Sequence, residues 1–342
     1  MPLDRWSLYA LMLKSRLFEE AAAQLWRDGL ISGEMHLGTG EEAVIAGVVA
    51  HLRQGDAMAL DHRSTAALLM RGVDPLLILR ELLGLPNGLC GGMGGHMHQF
   101  SKEHLAASSG IVGAAGPTAA GFALAAQVLR PGAVAVAFFG EGAMNQGMLL
   151  ESLNLASVWE LPVVFVCKDD GWAITTPAHQ GTGGDLDQRA RGLGVPAEDV
   201  DGLDVSAVWQ AAGRAVERAR LGQGPAFLHA RCVHFEGHFL GFQLLRILRH
   251  PLGEMPGVAG PLTRSFIQPS GASLPERLGG LKAVTAALLA ALRDPRQDLT
   301  NDPVARARLP LQSQPARLQE LEGQVQAEIH SLLDTALLEV PA

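Results

Sequence analysis

Two apolar runs near the middle of the chain predict strands that are buried on both faces of a sheet. Residues 133–139 and 161–167 contain almost only apolar side chains, which is typical of parallel strands covered by helices on both sides. A third run, Ala226–Arg231, predicts another strand. Between the runs, residues 144–159 and 206–221 have the spacing of helices. This alternation predicts an α/β fold, a doubly wound, mostly parallel sheet with helices on both faces.

Periodic apolar positions predict further helices outside the centre, and one long stretch lacks periodicity. Residues 84–110 are rich in glycine, and a loop of this length inside a compact domain is usually functional. The additional predicted helices cover residues 3–28, 41–52, 74–83, 281–292 and 315–338.

These patterns divide the chain into three predicted segments. Residues 1–245 are expected to form the main domain. Residues 246–300 are expected to be an atypical insertion or linker with one helix, because 251–280 is rich in proline, glycine and serine. Residues 301–342 are expected to be a C-terminal helical segment.

Composition narrows the possible partners and the compartment. A net charge of −8 gives no basic surface for a polyphosphate backbone, so we expect no nucleic-acid partner. The three cysteines are far apart, which favours a reducing cytoplasm over a disulfide framework.

The N-terminus has no secretory pattern. Residues 105–129 lack charge, but small residues and Pro117 favour a packed helix over a membrane span.

Polar residues follow the two central predicted strands. Glu141 lies between Gly140 and Gly142, and Asp169 and Asp170 follow the next strand. Carboxyl ends of parallel strands meet at one edge of a sheet, where ligands bind. Glycines and a helix start favour an anion there, and carboxylates beside an anion require a hard cation such as Mg²⁺. The residues therefore indicate a metal–diphosphate site.

Two other interpretations of these residues remain open at this point. The glycines could simply make a turn, with the acidic pair solvated. The region is also similar to a dinucleotide-binding fingerprint, but Asn145 stands where that pattern needs its third glycine. Glu141 would then face a pyrophosphate without a metal, which makes the nicotinamide interpretation weaker.

The flanks of these motifs resemble the alpha subunit of the thiamine-diphosphate-dependent decarboxylating component of 2-oxo acid and acetoin dehydrogenases. The resemblance covers roughly residues 5–245 and resumes near residue 302. The segments that support it are residues 36–43, 94–98, 110–113, 140–147, 151–167, 171–177 and 236–239.

The resemblance implies the thiamine-diphosphate-binding fold and a role for each matching position. Metal ligands fall on Glu141, Asp170 and the backbone carbonyl of Trp172. His36 and His238 match histidines at the cofactor and substrate end of the pocket and are predicted to be catalytic. The predicted cofactor-binding residues are His62, Arg63, Gly110, Val112, Glu141, Gly142, Ala143, Asp170 and Trp172.

The resemblance also implies cofactors and partners. We expect thiamine diphosphate with Mg²⁺, for which Mn²⁺ or Ca²⁺ could substitute. A beta subunit is expected to complete an α2β2 heterotetramer and to contribute the glutamate that activates the aminopyrimidine. The substrate would be a small 2-oxo acid or acetoin, and the acyl group would pass to a lipoyl-bearing acyltransferase.

Several positions depart from the family pattern. Glu141 replaces Asp, and Asp169-Asp170 replaces Asn-Asn, which adds negative charge beside the diphosphate. The family's R-x-H-G becomes Arg63-Ser-Thr-Ala, so one active-site histidine is missing. The loop after His238 is apolar, with Phe239 in place of a serine.

Three hypotheses follow from these residues. The chain is a working alpha subunit with adjusted metal and substrate sites, or a family member that has lost efficient cofactor binding and serves as a structural or regulatory partner. The third is a metal-dependent hydrolase with ligands from His96-x-His98 or His234-x-Glu236-x-His238.

Overall fold

A mostly parallel sheet forms the centre of the molecule. The computed structural model describes residues 2–174, 176–240, 271, 273–292 and 298–340. In these ranges the strands are β1 (Ala57–Leu60), β2 (Phe100–Ser101), β3 (Ala106–Ser108), β4 (Ala135–Gly140), β5 (Val163–Asp169), β6 (Trp172–Ala173), β7 (Thr176–Pro177), β8 (Ala197–Asp201) and β9 (Ala226–Arg231).

Helices pack on both faces of this sheet. Short 3-10 turns cover Glu141–Asn145, Leu299–Asn301 and Leu309–Ser313. The α-helices of the described ranges are α1 (Arg5–Arg27), α2 (Glu42–Val49), α3 (Thr65–Arg71), α4 (Pro75–Leu82), α5 (Ala115–Leu129), α6 (Gly147–Val158), α7 (Ala178–Gly181), α8 (Leu186–Gly192), α9 (Val205–Arg220), α10 (Leu274–Leu292), α11 (Pro303–Arg308) and α12 (Pro315–Leu337).

The strand order is β2-β3-β1-β4-β5-β9-β8, and every pair in it is parallel except β2 with β3. β6 and β7 form a separate antiparallel hairpin. This arrangement confirms the predicted fold class. It also brings the carboxyl ends of β1, β3, β4, β5 and β9 to one edge of the sheet, which is where a doubly wound fold places its ligands.

Alternate side chains of each central strand point to opposite faces. On β4, Val136 and Phe138 pack into the core that contains α1, α2 and α9, whereas Ala137 and Phe139 pack against α5 and α6. All four are 1% exposed or less. Burial on both faces explains why these strands are continuously apolar in the sequence.

Several elements differ from those that the sequence predicts. The predicted loop 84–110 contains β2 and β3, which are too short to show periodicity. β1 and β8 were not predicted, because β1 has four residues and β8 carries acidic side chains. The predicted helix 144–159 is split, with a 3-10 turn before α6, and α10 begins at Leu274 rather than 281.

The C-terminal helix packs on the N-terminal one. Tyr9 of α1 donates a 2.6 Å hydrogen bond to Glu322 of α12, and Arg16 of α1 forms an ion pair with Asp302 at the start of α11. Most of the predicted insertion, including residues 246–270, lies outside the described residues, and so do residues 241–245 of the predicted main domain. The division into three segments remains a prediction.

Candidate active site

A cavity of about 460 Å³ lies at the carboxyl edge of the sheet. Loops that follow β1, β3, β4, β5 and β9 line it. All eleven residues that the sequence assigns to catalysis, cofactor or metal contribute to its wall, namely His36, His62, Arg63, Gly110, Val112, Glu141, Gly142, Ala143, Asp170, Trp172 and His238. The fold therefore brings together residues that are up to 202 positions apart in the chain.

The two predicted metal carboxylates follow adjacent strands. Glu141 comes directly after β4 and Asp170 directly after β5. Glu141 is 3% exposed, and its Oε1 has no hydrogen-bond partner among the described residues. Burial raises the pKa of the Glu141 carboxyl, and the neighbouring Asp170 and Asp169 raise that pKa further.

Asp169 is turned away from this pair. Its Oδ2 lies 2.7 Å from Nε2 of His229 on β9, and its Oδ1 accepts a hydrogen bond from the Gly171 N–H. These contacts hold the turn that follows β5. Of the acidic pair at this strand end, Asp170 is therefore the carboxylate that lines the cavity.

The donors at this end of the cavity fit a hard dication. Two carboxylates and a backbone carbonyl are all-oxygen ligands, which Mg²⁺ prefers. A cation would partner the buried Glu141 oxygen and would offset the burial and the repulsion from Asp170 and Asp169 that raise its pKa. Gly142 allows close packing beside them, because a Cβ there would lie 3.3 Å from Cβ of Ala173.

A buried lysine, Lys168, pairs with two carboxylates of the cavity wall. Lys168 is 1% exposed, and its Nζ lies 2.6 Å from Oε2 of Glu41 and 3.0 Å from Oδ2 of Asp61. Burial alone would lower the pKa of Lys168, but Asp61 and Glu41 outweigh burial and raise it. Burial likewise opposes the charge on Glu41, and Lys168 with His234 lowers the pKa of that carboxyl.

His234 connects this ion network to the predicted metal end. Its Nε2 lies 2.8 Å from Oε1 of Glu41, and its Nδ1 lies 2.8 Å from Oδ2 of Asp170. Burial and Arg63 oppose protonation of the imidazole, but Asp170 and Glu41 raise its pKa above the ordinary value. The set Lys168, Glu41, Asp61 and His234 is called the floor network below.

Arg63 is held by main-chain oxygens. It is 3% exposed, one guanidinium nitrogen donates to the carbonyl of Leu37, and Nη2 donates to the carbonyl of His238 at 2.7 Å. The side chain therefore ties the loop after β9 to the segment before α2. A phosphate at this position would have to share the guanidinium with these carbonyls.

Three histidines of the cavity wall, His36, His62 and His238, lie close together, and His96 contacts His36; this group is called the histidine end below. The ring of His36 is 4.6 Å from that of His62 and 4.9 Å from that of His238, centroid to centroid. Its Nδ1 lies 2.9 Å from Nε2 of His96. Burial, with a smaller contribution from Arg63, lowers the pKa of His36 to about 3 and the pKa values of His96 and His238 to about 4.

The loop after β3 supplies the remaining predicted residues. A Cβ on Gly110 would lie 3.2 Å from Sδ of Met97 and 3.3 Å from Nε2 of His98, so the loop packs closely at that point. Ile111 and Val112 are 63% and 52% exposed and form the apolar rim of the cavity.

The floor network was not predicted from the sequence. Lys168 gives the one available indication of this network: a lysine near the end of the buried apolar strand β5 needs a buried counter-ion. Glu41 and Asp61 could be identified as its partners only once the fold brings β5 close to α2 and the end of β1. His234 entered the sequence analysis only as a possible hydrolase ligand.

The histidine sets proposed for a hydrolase do not come together as metal sites in the described part of the chain. There, two groups of three have their ligand atoms within 4.8 Å of one another: His36, His62 and His238, and Glu41, Cys232 and His234. His96 instead bonds to His36, and His234 is held by carboxylates on both sides.

None of the described helices has the length and apolar character needed to cross a membrane.

The sequence is similar to proteins of one enzyme family. The model of the family described as "Dehydrogenase E1 component" matches residues 9–241. The alpha subunit of acetoin:2,6-dichlorophenolindophenol oxidoreductase from Cupriavidus necator is 43% identical over 247 residues, which cover 70% of this chain and 74% of that protein.

Other relatives extend the same relationship. The protein of the same name from Bacillus subtilis is 42% identical, over 68% of this chain and 71% of its own length. The alpha subunit of the pyruvate dehydrogenase E1 component from Zymomonas mobilis is 40% identical, over 67% of this chain and 66% of its own length. The family predicted from the sequence motifs is thereby confirmed: the chain belongs to the dehydrogenase E1 component family, a family of oxidoreductases.

Proposed function

We propose that the chain is the alpha subunit of a thiamine-diphosphate-dependent 2-oxo acid or acetoin dehydrogenase. It would bind the cofactor diphosphate through a divalent metal and act together with a beta subunit. The product acyl group would pass to a lipoyl-bearing acyltransferase. The observation that supports this most strongly is the cavity at the carboxyl edge of the sheet, whose wall contains all eleven residues assigned from the family motifs.

The two ends of the cavity suit different parts of the reaction. Glu141, Asp170 and the carbonyl of Trp172 would hold the metal, and Gly142 and Ala143 would lie against the diphosphate. When bound, thiamine diphosphate supplies the nucleophilic carbon and the electron sink for cleaving the bond beside an oxo group.

The histidine end would position the substrate oxygens. His36 and His238 are neutral at pH 7, because burial lowers the pKa values of their imidazoles to about 3 and about 4. A neutral imidazole donates a hydrogen bond through one nitrogen and accepts through the other. The contact between His36 Nδ1 and His96 fixes which nitrogen of His36 is left for a substrate oxygen.

An apolar surface supports the proposal of a partner subunit. Leu124, Val128 and Leu129 of α5 are 41%, 69% and 75% exposed, and Val158 and Trp159 at the end of α6 are 67% and 49% exposed. The two helices pack against each other, and Gln127 of α5 donates a hydrogen bond to the carbonyl of Trp159, so these side chains lie on neighbouring helix ends. Contiguous exposed apolar surface of this kind marks a protein interface.

Two substitutions of similar exposure test that interface. We expect Val128→Glu to abolish co-purification with the beta subunit, because a charge there would be desolvated on assembly. Leu309→Glu, at a residue that is 61% exposed in the 3-10 turn Leu309–Ser313, serves as the control. Equal recovery of the beta subunit with both variants would exclude the α5–α6 face as the interface.

Calorimetry tests the cofactor. Titration of thiamine diphosphate into the alpha–beta complex with Mg²⁺, Mn²⁺ or Ca²⁺ should give saturable binding that EDTA abolishes. Cofactor binding in EDTA equal to that in Mg²⁺ would contradict the role given to Glu141 and Asp170.

Product analysis separates the two substrate classes. A 2-oxo acid substrate releases CO₂, whereas acetoin is cleaved without CO₂, so the two are distinguished by trapping labelled CO₂ and by detecting acetaldehyde. Activity in this assay requires the lipoyl carrier or an artificial electron acceptor. Turnover of neither substrate by a cofactor-saturated complex would contradict the catalytic proposal.

The position of Arg63 favours a second candidate, a structural or regulatory family member with weak cofactor binding. Both described donations from its guanidinium go to main-chain carbonyls, and the metal end has more negative charge than the family pattern. Assembly with the beta subunit without cofactor binding at millimolar concentration would establish this alternative.

A further inference from the structure

The histidine end of the cavity has the composition of a transition-metal site. We propose that His36, His62 and His238 bind a zinc ion, at a position separate from the predicted Mg²⁺ ligands. Each side chain offers one ring nitrogen, and the three nitrogens lie within 4.8 Å of one another. Three imidazoles with a fourth, exchangeable ligand is a common zinc arrangement.

The ligands need only small movements to close on a metal. Zinc–nitrogen bonds of about 2.0–2.1 Å in a tetrahedral site place the nitrogens roughly 3.3 Å apart. None of the three histidines lies on a helix or strand: His36 precedes α2, His62 follows β1, and His238 belongs to the loop after β9. Loop positions of this kind can shift by the required distance of about 1 Å.

One ring nitrogen in the group lacks a partner. Nε2 of His62 is buried and has no hydrogen-bond partner among the described residues. A buried polar atom without a partner costs free energy. A metal ion bound to this nitrogen would remove that cost, so the atom itself points to a ligand in the cavity.

His96 provides the support that metal-binding histidines usually have. It bonds to Nδ1 of His36 at 2.9 Å, which leaves Nε2 of His36 to bind the metal ion. Such outer contacts orient the ring and select its tautomer. The rings are also already neutral, since burial lowers the pKa of His62 to about 2 and that of His36 to about 3.

The charges around the group permit a dication. Arg63 lies nearby and opposes positive charge, but its guanidinium is directed to the carbonyls of Leu37 and His238. The carboxylates of Glu34 and Asp61 line the same cavity. All three side chains line that cavity, so water or a substrate oxygen can take the fourth position.

The second group of three ligand atoms is a poorer zinc site. Glu41, Cys232 and His234 are all buried, and Glu41 is already paired with Lys168. Burial raises the pKa of the Cys232 thiol well above its ordinary value, which disfavours the thiolate that zinc requires.

Zinc binding by the full-length chain tests the proposal. The chain is stripped with EDTA, dialysed into excess Mg²⁺ to saturate the oxygen ligands, and titrated with Zn²⁺ without thiamine diphosphate. We expect one zinc per chain. His62→Asn and His238→Asn should each weaken binding by more than about 100-fold, and His96→Asn by about 10–100-fold. His330→Asn, at an exposed position on α12, should bind zinc as the unchanged chain does.

Two further measurements make the result decisive. Co²⁺ in place of Zn²⁺ should give intense tetrahedral d–d bands without a thiolate charge-transfer band, and Cys232→Ser should leave them unchanged. Far-UV circular dichroism confirms that the variants are folded. Zinc binding that survives the His62 and His238 substitutions, or that is lost in Cys232→Ser, would overturn the proposal.

The proposal does not rest on the proposed function. A chain without thiamine diphosphate binding can still bind zinc, and an active dehydrogenase without a zinc site would contradict only this inference. Where both hold, Zn²⁺ should inhibit turnover reversibly, with activity restored by EDTA, because the ion would occupy the substrate end of the cavity.

Discussion

The cavity contains two buried acidic regions with opposite electrostatic character. In the floor network, Glu41 is paired with Lys168 and His234, and these partners lower the pKa of its carboxyl. At the metal end, Glu141 faces Asp170, its Oε1 has no hydrogen-bond partner among the described residues, and its pKa is raised by burial and by Asp170 and Asp169. Both glutamates are 3% exposed or less, so burial alone does not separate them.

The difference indicates what each region requires. The floor network is electrostatically complete, because Lys168 and His234, whose pKa is raised, together offset the carboxylates of Glu41 and Asp61. The metal end is incomplete, because the buried Glu141 carboxyl has an Oε1 without a hydrogen-bond partner among the described residues and faces Asp170, whose ion pair is made with His234. We infer that the first region stabilises the fold, whereas the second gains stability only when a cation binds.

The largest predicted effect comes from breaking the floor network. Lys168→Met leaves Glu41 and Asp61 without their shared cation, and an uncompensated buried charge costs about 3–5 kcal/mol. The free energy of unfolding, measured with urea at pH 7.5, should fall by that amount. The exposed Lys102→Met is the matched control and should change the free energy of unfolding by less than about 0.5 kcal/mol.

A second substitution shows whether charge is the cause. Glu41→Gln combined with Lys168→Met removes the charges of both partners. We expect the double variant to recover a large part of the unfolding free energy that Lys168→Met loses. A double variant that is less stable than Lys168→Met alone would mean that the packing of the lysine chain, not its charge, stabilises the floor.

The two regions also differ in how far the sequence predicts them. Glycines and acidic residues at the ends of two apolar strands identify the metal end, because local sequence and the parallel-sheet rule place Glu141 beside Asp170. The floor network depends on contacts between residues as distant as Glu41 and Lys168, and no local pattern encodes that pairing. Short strands such as β1 and β3 have too few residues to show a pattern, and only their pairing with neighbouring strands identifies them.

Without metal, we expect removal of the Glu141 charge to stabilise the fold rather than destabilise it. The raised pKa means that the folded chain keeps Glu141 protonated while the unfolded chain ionises it above about pH 4.5. This contribution to stability is present below pH 4.5 and is lost as pH rises towards the folded pKa. Glu141→Gln should therefore raise the free energy of unfolding at pH 8 by roughly 1–3 kcal/mol in EDTA.

The pH profile provides the control for this prediction. The stability advantage of Glu141→Gln over the unchanged chain, measured as unfolding free energy, should grow from pH 5 to pH 8. Glu151 is exposed on α6, so the same comparison for Glu151→Gln should stay constant over this range. With Mg²⁺ and thiamine diphosphate the order should reverse, because only the unchanged chain gains stability from the bound metal. A variant that is less stable than the unchanged chain in EDTA at pH 8 would contradict the raised pKa.

The smallest predicted effect tests whether the acidic ligands are a defect or an adaptation. Glu141→Asp with Asp170→Asn restores the shorter carboxylate and the neutral amide of the family pattern, which removes one negative charge beside the diphosphate. The cofactor Kd in Mg²⁺ should fall by about tenfold, equivalent to about 1.4 kcal/mol. However, Asp170 also holds His234 of the floor network at 2.8 Å. A tighter Kd would mean that the metal end is independent of the floor, whereas a weaker one would mean that the two regions are coupled through His234 and have been adjusted together.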